Sequence, residues 1–453
     1  MFTLLIRLWH HISKRRRTQF VLLLILMILA SFSEIVSIGA VLPFLAVLTS
    51  PDRIFQLPAA KPFIQNFGFT NANQLILPLT ICFGFAALIA GAMRLLLLWA
   101  NTRLSYGTGA DLSSCIFQRT LYQPYAVHVA RNSSEIISGI SGKTGSIIFV
   151  LMNILTLISS GLILVAILLT LVSFDPLIAL SAFGGFGLIY GLIIRITSKT
   201  LLTNGERIAK ESTHVIKSLQ EGLGGIRDVL IDGSQAAYCQ IYRNADYPLR
   251  VAYGNNTFIS SSPRFALEAL GMILIAALAY VLSRQPDGIA KAIPVLGALA
   301  LGTQRLLPVL QQAYAAYSSN QGSQASLQDA LELLDQPLPD YVDQPTPKPL
   351  AFHHQISLKQ LSFRYTPQMA YVLKNLNLTI KKGSSIGFIG VTGSGKSTLL
   401  DIVMGLLQPT EGIFQIDDEI ITGNNSRAWQ AHIAHVPQAI YLADSTIEEN
   451  NSH

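Results

Sequence analysis

Charge is what this sequence has least of. Only 13% of its 453 residues are Asp, Glu, Lys or Arg, against roughly 25% in a soluble domain. Half of the chain is apolar. That shortage argues against an ordinary soluble protein and for a chain embedded in a bilayer. The net charge is a modest +6 and gathers at loop ends, which suits anionic lipid headgroups better than a nucleic-acid surface. No run interleaves aromatic and basic residues in the manner of an RNA or DNA reader, so no nucleic-acid partner is expected. Cysteine is scarce as well. Cys82, Cys115 and Cys239 are an odd, scattered set without metal-ligand spacing, and they are assigned no function.

What the chain does have is long apolar runs. Roughly 20 such residues are needed to cross a hydrocarbon core, because unpaired backbone groups cannot be left in it. Six runs qualify: 19–48, 75–100, 146–173, 177–194, 265–283 and 289–310. The third and fourth are parted only by Phe174, Asp175 and Pro176, a turn-forming triplet that predicts an antiparallel hairpin. Cytoplasmic loops carry the excess of lysine and arginine. Lys14, Arg15, Arg16 and Arg17 precede the first run, nine basic residues lie between Arg195 and Arg264, and Arg103, Arg119, Arg131 and Lys143 follow the second. Both termini and both long loops are therefore expected in the cytoplasm. Residues 1–17 mix Leu4, Leu5, Leu8 and Trp9 with Arg7 and the arginine cluster, the pattern of an amphipathic helix lying in the membrane interface. A secretory signal peptide is the competing reading, opposed by an apolar run that is too long and leads into further spans.

The composition changes after Leu334. Pro337, Pro339, Pro345, Pro347 and Pro349 mark a linker over 335–355. A soluble domain is expected over 356–453, with residues 18–334 forming the membrane domain. Its segments ISLKQLSFRY and VLKNLNLTI alternate apolar and polar residues as strands do. SSIGFIGVTGSGKSTLLDIVMGLL then reads as an apolar strand, a glycine-rich loop and an amphipathic helix.

Gly390 to Ser397 matches the phosphate-binding pattern G-x-x-x-x-G-K-[ST]. Gly390, Gly393, Ser394 and Gly395 allow backbone N–H groups to close around phosphate oxygens, and the helix starting near Lys396 aims its positive end at the same anion. Lys396 is expected to reach the β and γ phosphates of ATP. Ser397 is expected to hold Mg²⁺, with Thr398 beside it in the cradle.

With these residues in view the chain resembles the ATP-binding cassette exporters, in which six spanning helices and one cassette share a polypeptide. The resemblance implies an α-helical membrane domain of six transmembrane helices followed by an α/β P-loop nucleotide-binding domain. It implies that Tyr365, in LSFRY, stacks on adenine, and that Gln438, in HVPQ, touches Mg²⁺ and the attacking water. Without it Tyr365 reads as a strand residue covering the core and Gln438 as a polar loop residue. Segments 123–136 and 222–234 resemble the coupling helices. QEGLGGIRDVLIDG, SSPRFALEALG, TQRLLPVL and TGSGKSTLLDIVMGLLQPTEG are similar to bacterial flippases of lipid-linked oligosaccharides. The implied protein is a half-transporter of the bacterial inner membrane. It would pair with a second half, as homodimer or heterodimer, and export or flip an amphiphilic, glycolipid-like substrate.

In that family the glutamine is followed by a signature motif, an apolar strand ending in Asp and Glu, and a switch histidine. Fifteen residues follow Gln438 here and contain none of them. The expectation is a cassette interrupted after the glutamine and, by itself or as a homodimer, unable to hydrolyse ATP. The alternative function is then a vestigial or regulatory ATP-binding membrane protein. His432, His435 and His453 are read as surface residues rather than catalytic ones. A membrane-anchored P-loop kinase is disfavoured by six spans with long cytoplasmic loops.

Four charged residues are candidates for the substrate path. Glu34 sits mid-span, where an ionised group is costly and should face the bundle interior or water. Counting along the helices places it about 21 Å deep and Arg94 about 28 Å deep, so the two are expected within reach of each other, as part of that path or as a lock between helices. Arg264 and Arg305 suit the phosphate oxygens of a pyrophosphate-linked lipid, or else snorkel to headgroups.

Overall fold

The computed structural model describes residues 1–49, 71–174, 176–283, 306–342, 344–436 and 446. They divide into two compact units, residues 1–120 with 134–336, and residues 121–133 with 337–453.

The first unit is helical. It contains α1 (Phe2–His11), α2 (Lys14–Thr49), most of α3 (Ile76–Leu121), α5 (Ser133–Ile137), α6 (Thr144–Phe174), α7 (Pro176–Gly224), α8 (Ile226–Ile231), α9 (Gln235–Ser261), α10 (Pro263–Ser283), α11 (306–322) and α12 (Gln324–Leu334). The short α4 (Tyr125–Ala130) belongs to the second unit. Among the described residues four helical stretches are long and apolar enough to cross a membrane: Lys14–Ser37, Ile76–Leu121, Ser133–Leu169 and Gly184–Gly224. The fifth expected run coincides with α10. Most of the sixth lies outside the described residues, as does Asp175 of the expected hairpin turn. Pro176 opens α7, where a missing N–H costs nothing.

Two helices run far beyond the bilayer. At 46 and 49 residues, α3 and α7 are each about 70 Å long, more than twice a hydrocarbon core. Their polar halves pack on other helices. Gly205 approaches the Gly322 carbonyl so closely that a Cβ there would lie 2.5 Å from its oxygen, and the neighbouring Asn204 donates to Asn256 at 2.9 Å. Residues 14–17, expected in the interfacial helix, instead form the first turn of α2. In α1 the face carrying Leu4 and Leu8 is buried among Leu327, Leu331 and Leu334 of α12, while Phe2, Ile6 and Trp9 stay exposed. Arg7 and His11 both bond Asp335, at the end of α12, and hold its carboxyl below the ordinary carboxylate range against the opposing effect of burial.

The second unit carries a four-stranded antiparallel sheet in the order β2-β1-β3-β4, with β1 at Gln355–Phe363, β2 at Leu373–Lys381, β3 at Glu411–Ile416 and β4 at Glu419–Ile420. Leu358, Leu361 and Phe363 of β1 and Phe414 and Ile416 of β3 form the core, with Leu399 and Ile402 of α13 (Lys396–Val403) and Trp429 of α14 (Ser426–Gln430). Gly412 permits a bulge. Its φ is +84°, and a Cβ there would meet the Gln360 carbonyl at 2.4 Å. The β3–β4 turn is Asp417 and Asp418, and Asp417 takes φ +51°. Its carboxylate accepts the backbone N–H groups of His353, His354 and Gln355 at 2.6 to 2.8 Å, which hold its pKa down at about 2.

One expectation is corrected. Residues 384–390, read as an apolar strand leading into the glycine loop, make no sheet ladder. Ile386 is 44% exposed and Ile389 fully so. An apolar run forms a strand only where a neighbouring strand completes its hydrogen bonds, and among the described residues none is laddered to this run.

Candidate nucleotide site

The glycine loop joins that extended run to α13. Val391 and Ser394 close a turn, the Ser394 N–H donating to the Val391 carbonyl at 3.2 Å. Gly393 and Gly395 both adopt φ +84°, a left-handed conformation that other residues adopt only with strain. At Gly395 a Cβ would also meet Leu373 at 2.9 Å and Val372 at 3.1 Å, and at Gly390 it would meet Ser394 Oγ at 2.7 Å. Gly393 and Gly395 are thus favoured by conformation, and Gly390 and Gly395 by lack of space. Gly395 is the N-cap of α13, and no side chain caps the helix. By position the first-turn amides of Lys396 and Ser397 have no helical acceptor.

Lys396 folds back over the loop. Its Nζ donates to the carbonyls of Gly390 and Val391 at 2.7 and 2.8 Å and lies 3.4 Å from Ser394 Oγ. A cation held only by neutral carbonyls can exchange them for an anion at small cost, because charge-assisted bonds are the stronger kind. Ser397 is exposed next to it, with its hydroxyl open to a metal–phosphate pair. Thr398 is 6% exposed, and its hydroxyl lies 2.9 Å from that of Tyr365. The Tyr365 ring stands edge-on to Phe363 at 5.0 Å and is 39% exposed. Free, oriented N–H groups, a tethered ammonium and an adjacent hydroxyl fit a magnesium-bound polyphosphate.

The family description "ABC transporter" matches residues 373–453, the stretch that holds this loop. Over that stretch the chain matches the ATP-binding cassette transporters. It is 29% identical over 268 residues to an ATP-dependent lipid A-core flippase of Chromohalobacter salexigens, covering 57% of this chain and 45% of that protein. It is 30% identical over 246 residues to a glutathione/L-cysteine transport system ATP-binding/permease protein of Bacillus subtilis, covering 53% of this chain and 40% of that one. The chain thus spans less than half the length of these two relatives. Among solved structures, a bacterial Atm1-family ABC exporter with ATP bound aligns at TM-score 0.67 and 17% identity, over 94% of this chain and 71% of the other. That likeness shows the exporter fold.

The cassette unit includes residues 121–133, so α4, in the first coupling-like segment, packs with it. Gln123 donates to the Pro337 carbonyl at 2.9 Å, and Tyr122 meets Tyr341 at 6.2 Å between ring centres. The Tyr125 phenol is raised above its ordinary pKa by burial first, then by the charges of Asp401 and Tyr365. Burial likewise raises the Asp401 carboxyl, with His435 opposing. Tyr125 thus lies within electrostatic range of Asp401 and Tyr365. The sequence pointed to its segment but not to Tyr125, since nothing in a stretch reading YAVHVA separates a docking tyrosine from a surface one. Trp429 and Gln430 went unread as well. They donate to the carbonyls of Val403 and Gly405 at 2.7 and 3.0 Å and so satisfy the C-terminal end of α13.

Among the other candidates, Gln438 and Arg305 lie outside the described residues. Arg94 donates from Nε to Glu34 at 3.0 Å, and a second guanidinium nitrogen bonds the other carboxylate oxygen, so α2 and α3 share a bidentate ion pair with Glu34 2% exposed. Arg264 is committed locally, donating to Glu268 one turn on at 2.8 Å.

Proposed function

We propose that this chain is one half of an ATP-driven exporter or flippase, binding Mg²⁺–ATP through the loop at 390–397 and pairing with a second half-transporter in the membrane. The observation that carries the reading is Lys396, tethered by loop carbonyls beside two left-handed glycines and a helix start without a side-chain cap. Lys396 and the loop amides would hold the phosphates, Ser397 and Gln438 the metal, and Tyr365 the base. The bound nucleotide supplies the free energy that drives alternating access. The chain's own contribution is to bind it and, through α4 and Tyr125, to register its presence.

For cargo, the reading extends to an amphiphilic lipid with an anionic pyrophosphate head. It is supported by flippase-like motifs around Arg264 and Arg305 and by a relative whose name gives it as a lipid A-core flippase. Glu34 and Arg94 would line the same path. The decisive experiment is titration of the purified full chain with a fluorescent ATP analogue and Mg²⁺. Affinity should fall at least tenfold in Lys396→Ala, and unchanged affinity there removes the assignment. For the cargo, retention of a pyrophosphate-linked lipid should fall when Arg264 and Arg305 are both changed to Ala, and equal retention rules them out.

A further inference from the structure

The groove between α2 and α3 lies between two ion pairs that tie these helices, Arg16–Asp111 at one end and Glu34–Arg94 at the other. Its volume is about 360 Å³, within the roughly 300 to 1,000 Å³ typical of small-molecule clefts. It is lined on its polar side by Arg16, Gln19 and Arg103 and on its apolar side by Leu22, Leu26 and Trp99. The polar-to-apolar boundary in the sequence lies within the span of the groove on both helices, at Gln19–Phe20 on α2 and Ala100–Asn101 on α3. The groove therefore straddles the edge of the hydrocarbon core.

Its two arginines differ. Arg16 is occupied, donating to Asp111 at 2.8 Å and to Gln19 at 3.1 Å. Arg103 is exposed and has no hydrogen-bond or ion-pair partner among the described residues. Lys14 and Arg15, also exposed, add to the positive field, while Asp111 is paired with Arg16. Beside the cation, Leu22 and Trp99 are each 61% exposed and form an apolar wall with an indole. A free guanidinium beside an open apolar slot matches a molecule that has an anion at one end and alkyl chains at the other.

We propose that this groove is a binding site for an anionic phospholipid, with the headgroup phosphate on Arg103 and the first acyl methylenes along Leu22, Leu26 and Trp99. The phosphate binds the guanidinium, the positive field of Lys14 and Arg15 disfavours a headgroup that carries its own cation, and the exposed leucines give the preference for lipid over free phosphate. The site rests on the chain being membrane-embedded and is independent of the nucleotide and cargo readings, because lipid retention is measured with neither present.

Native mass spectrometry of the purified full chain released from detergent micelles tests it, with phosphatidylglycerol and phosphatidylcholine of identical acyl chains as probes. The chain should retain one phosphatidylglycerol in preference to phosphatidylcholine. Arg103→Gln should weaken that retention about tenfold, the loss expected for one charge-assisted hydrogen bond, whereas Arg243→Gln, on exposed α9 surface, should not. As a second readout, phosphatidylglycerol with brominated chains should quench tryptophan emission in the parent chain and much less in Trp99→Phe. Glycerol phosphate should not compete. Equal retention of the two lipids, undiminished retention in Arg103→Gln, or quenching that survives Trp99→Phe would each overturn the site.

Discussion

Arg94 and Lys396 are both cations fixed by short hydrogen bonds, yet their partners differ in kind. Arg94 is held by a full negative charge, the bidentate carboxylate of buried Glu34. Lys396 is held by two neutral carbonyls of its own loop. The ion pair is hard to open because Glu34 is buried, although Arg94 is half-exposed, and a buried carboxylate left alone is an uncompensated charge. A lysine on carbonyls loses little when an anion arrives. The difference separates a fastening from a binding group, and it sets what each site can do. Arg94 can meet a substrate anion only if Glu34 is neutralised or moves away, whereas Lys396 is free to exchange.

The largest effect expected from breaking this contrast is at the ion pair. Arg94→Gln strands the Glu34 carboxylate and should lower stability by about 3 to 5 kcal/mol, read as loss of resistance to denaturant in detergent. Changing both residues to Leu should recover most of that loss, since a matched apolar pair carries no buried charge. If the double variant is as unstable as the single, the pair is not the fastening described. If it is stable but no longer retains substrate lipid, the pair belongs to the substrate path.

Next in size is the binding group. Lys396→Ala should leave melting of the chain within about 0.5 kcal/mol, as for a surface substitution, while weakening Mg²⁺–ATP binding at least tenfold. A fall in both together would mean that the lysine organises the loop rather than waiting for the nucleotide. Ser397→Ala should weaken binding only when Mg²⁺ is present, which separates the metal's contact from the phosphate's.

A third prediction concerns pH. The Asp417 carboxyl, at about 2, lies below its ordinary value because three backbone N–H groups favour its charged form. Its contribution to the cassette is thus complete above about pH 4 and is lost as pH falls toward 2. Asp417→Asn lacks that titration. The gap in melting temperature between parent and variant should be wide at pH 5 and shrink as acid is added. A gap independent of pH would show that the carboxylate's charge is immaterial.

Much of this was legible in the sequence where a single residue type answers a single physical demand. The glycine loop was readable because only glycine fits φ +84° at Gly393 and Gly395, and the meeting of Glu34 with Arg94 was readable because buried charge requires a partner. The limits of α3 and α7 were not. Hydropathy marks where helix leaves hydrocarbon, and these helices continue long past that level as amphipathic rods, so the expected loops are largely helix. The run at 384–390 departs from the expected strand for the converse reason, since apolar composition does not record whether a neighbour supplies hydrogen bonds. Asp335 could not have been joined to Arg7 and His11, more than 320 positions away, because nothing local ties them.

The smallest expected effect tests Tyr365, whose two parts have different tasks. Its hydroxyl contacts Thr398 at 2.9 Å, tying β1's exit to the first turn of α13, and its ring is 39% exposed and free to receive a flat base. Tyr365→Phe removes the bond and keeps the ring. It should cost about 1 kcal/mol of stability, the net value of one hydrogen bond, and leave ATP affinity nearly unchanged. Thr398→Val should cost a similar amount, and combining the two should cost no more than either alone, because the bond can be lost only once. Tyr365→Ala removes the ring as well and should weaken binding by about 1 to 3 kcal/mol, the range for a base stacked on an aromatic side chain. Should Tyr365→Phe weaken nucleotide binding as much as Tyr365→Ala, the hydroxyl is the recognition group and the ring is a spacer. Should neither variant alter it, Tyr365 is a strut between strand and helix, and the adenine must be held by other residues.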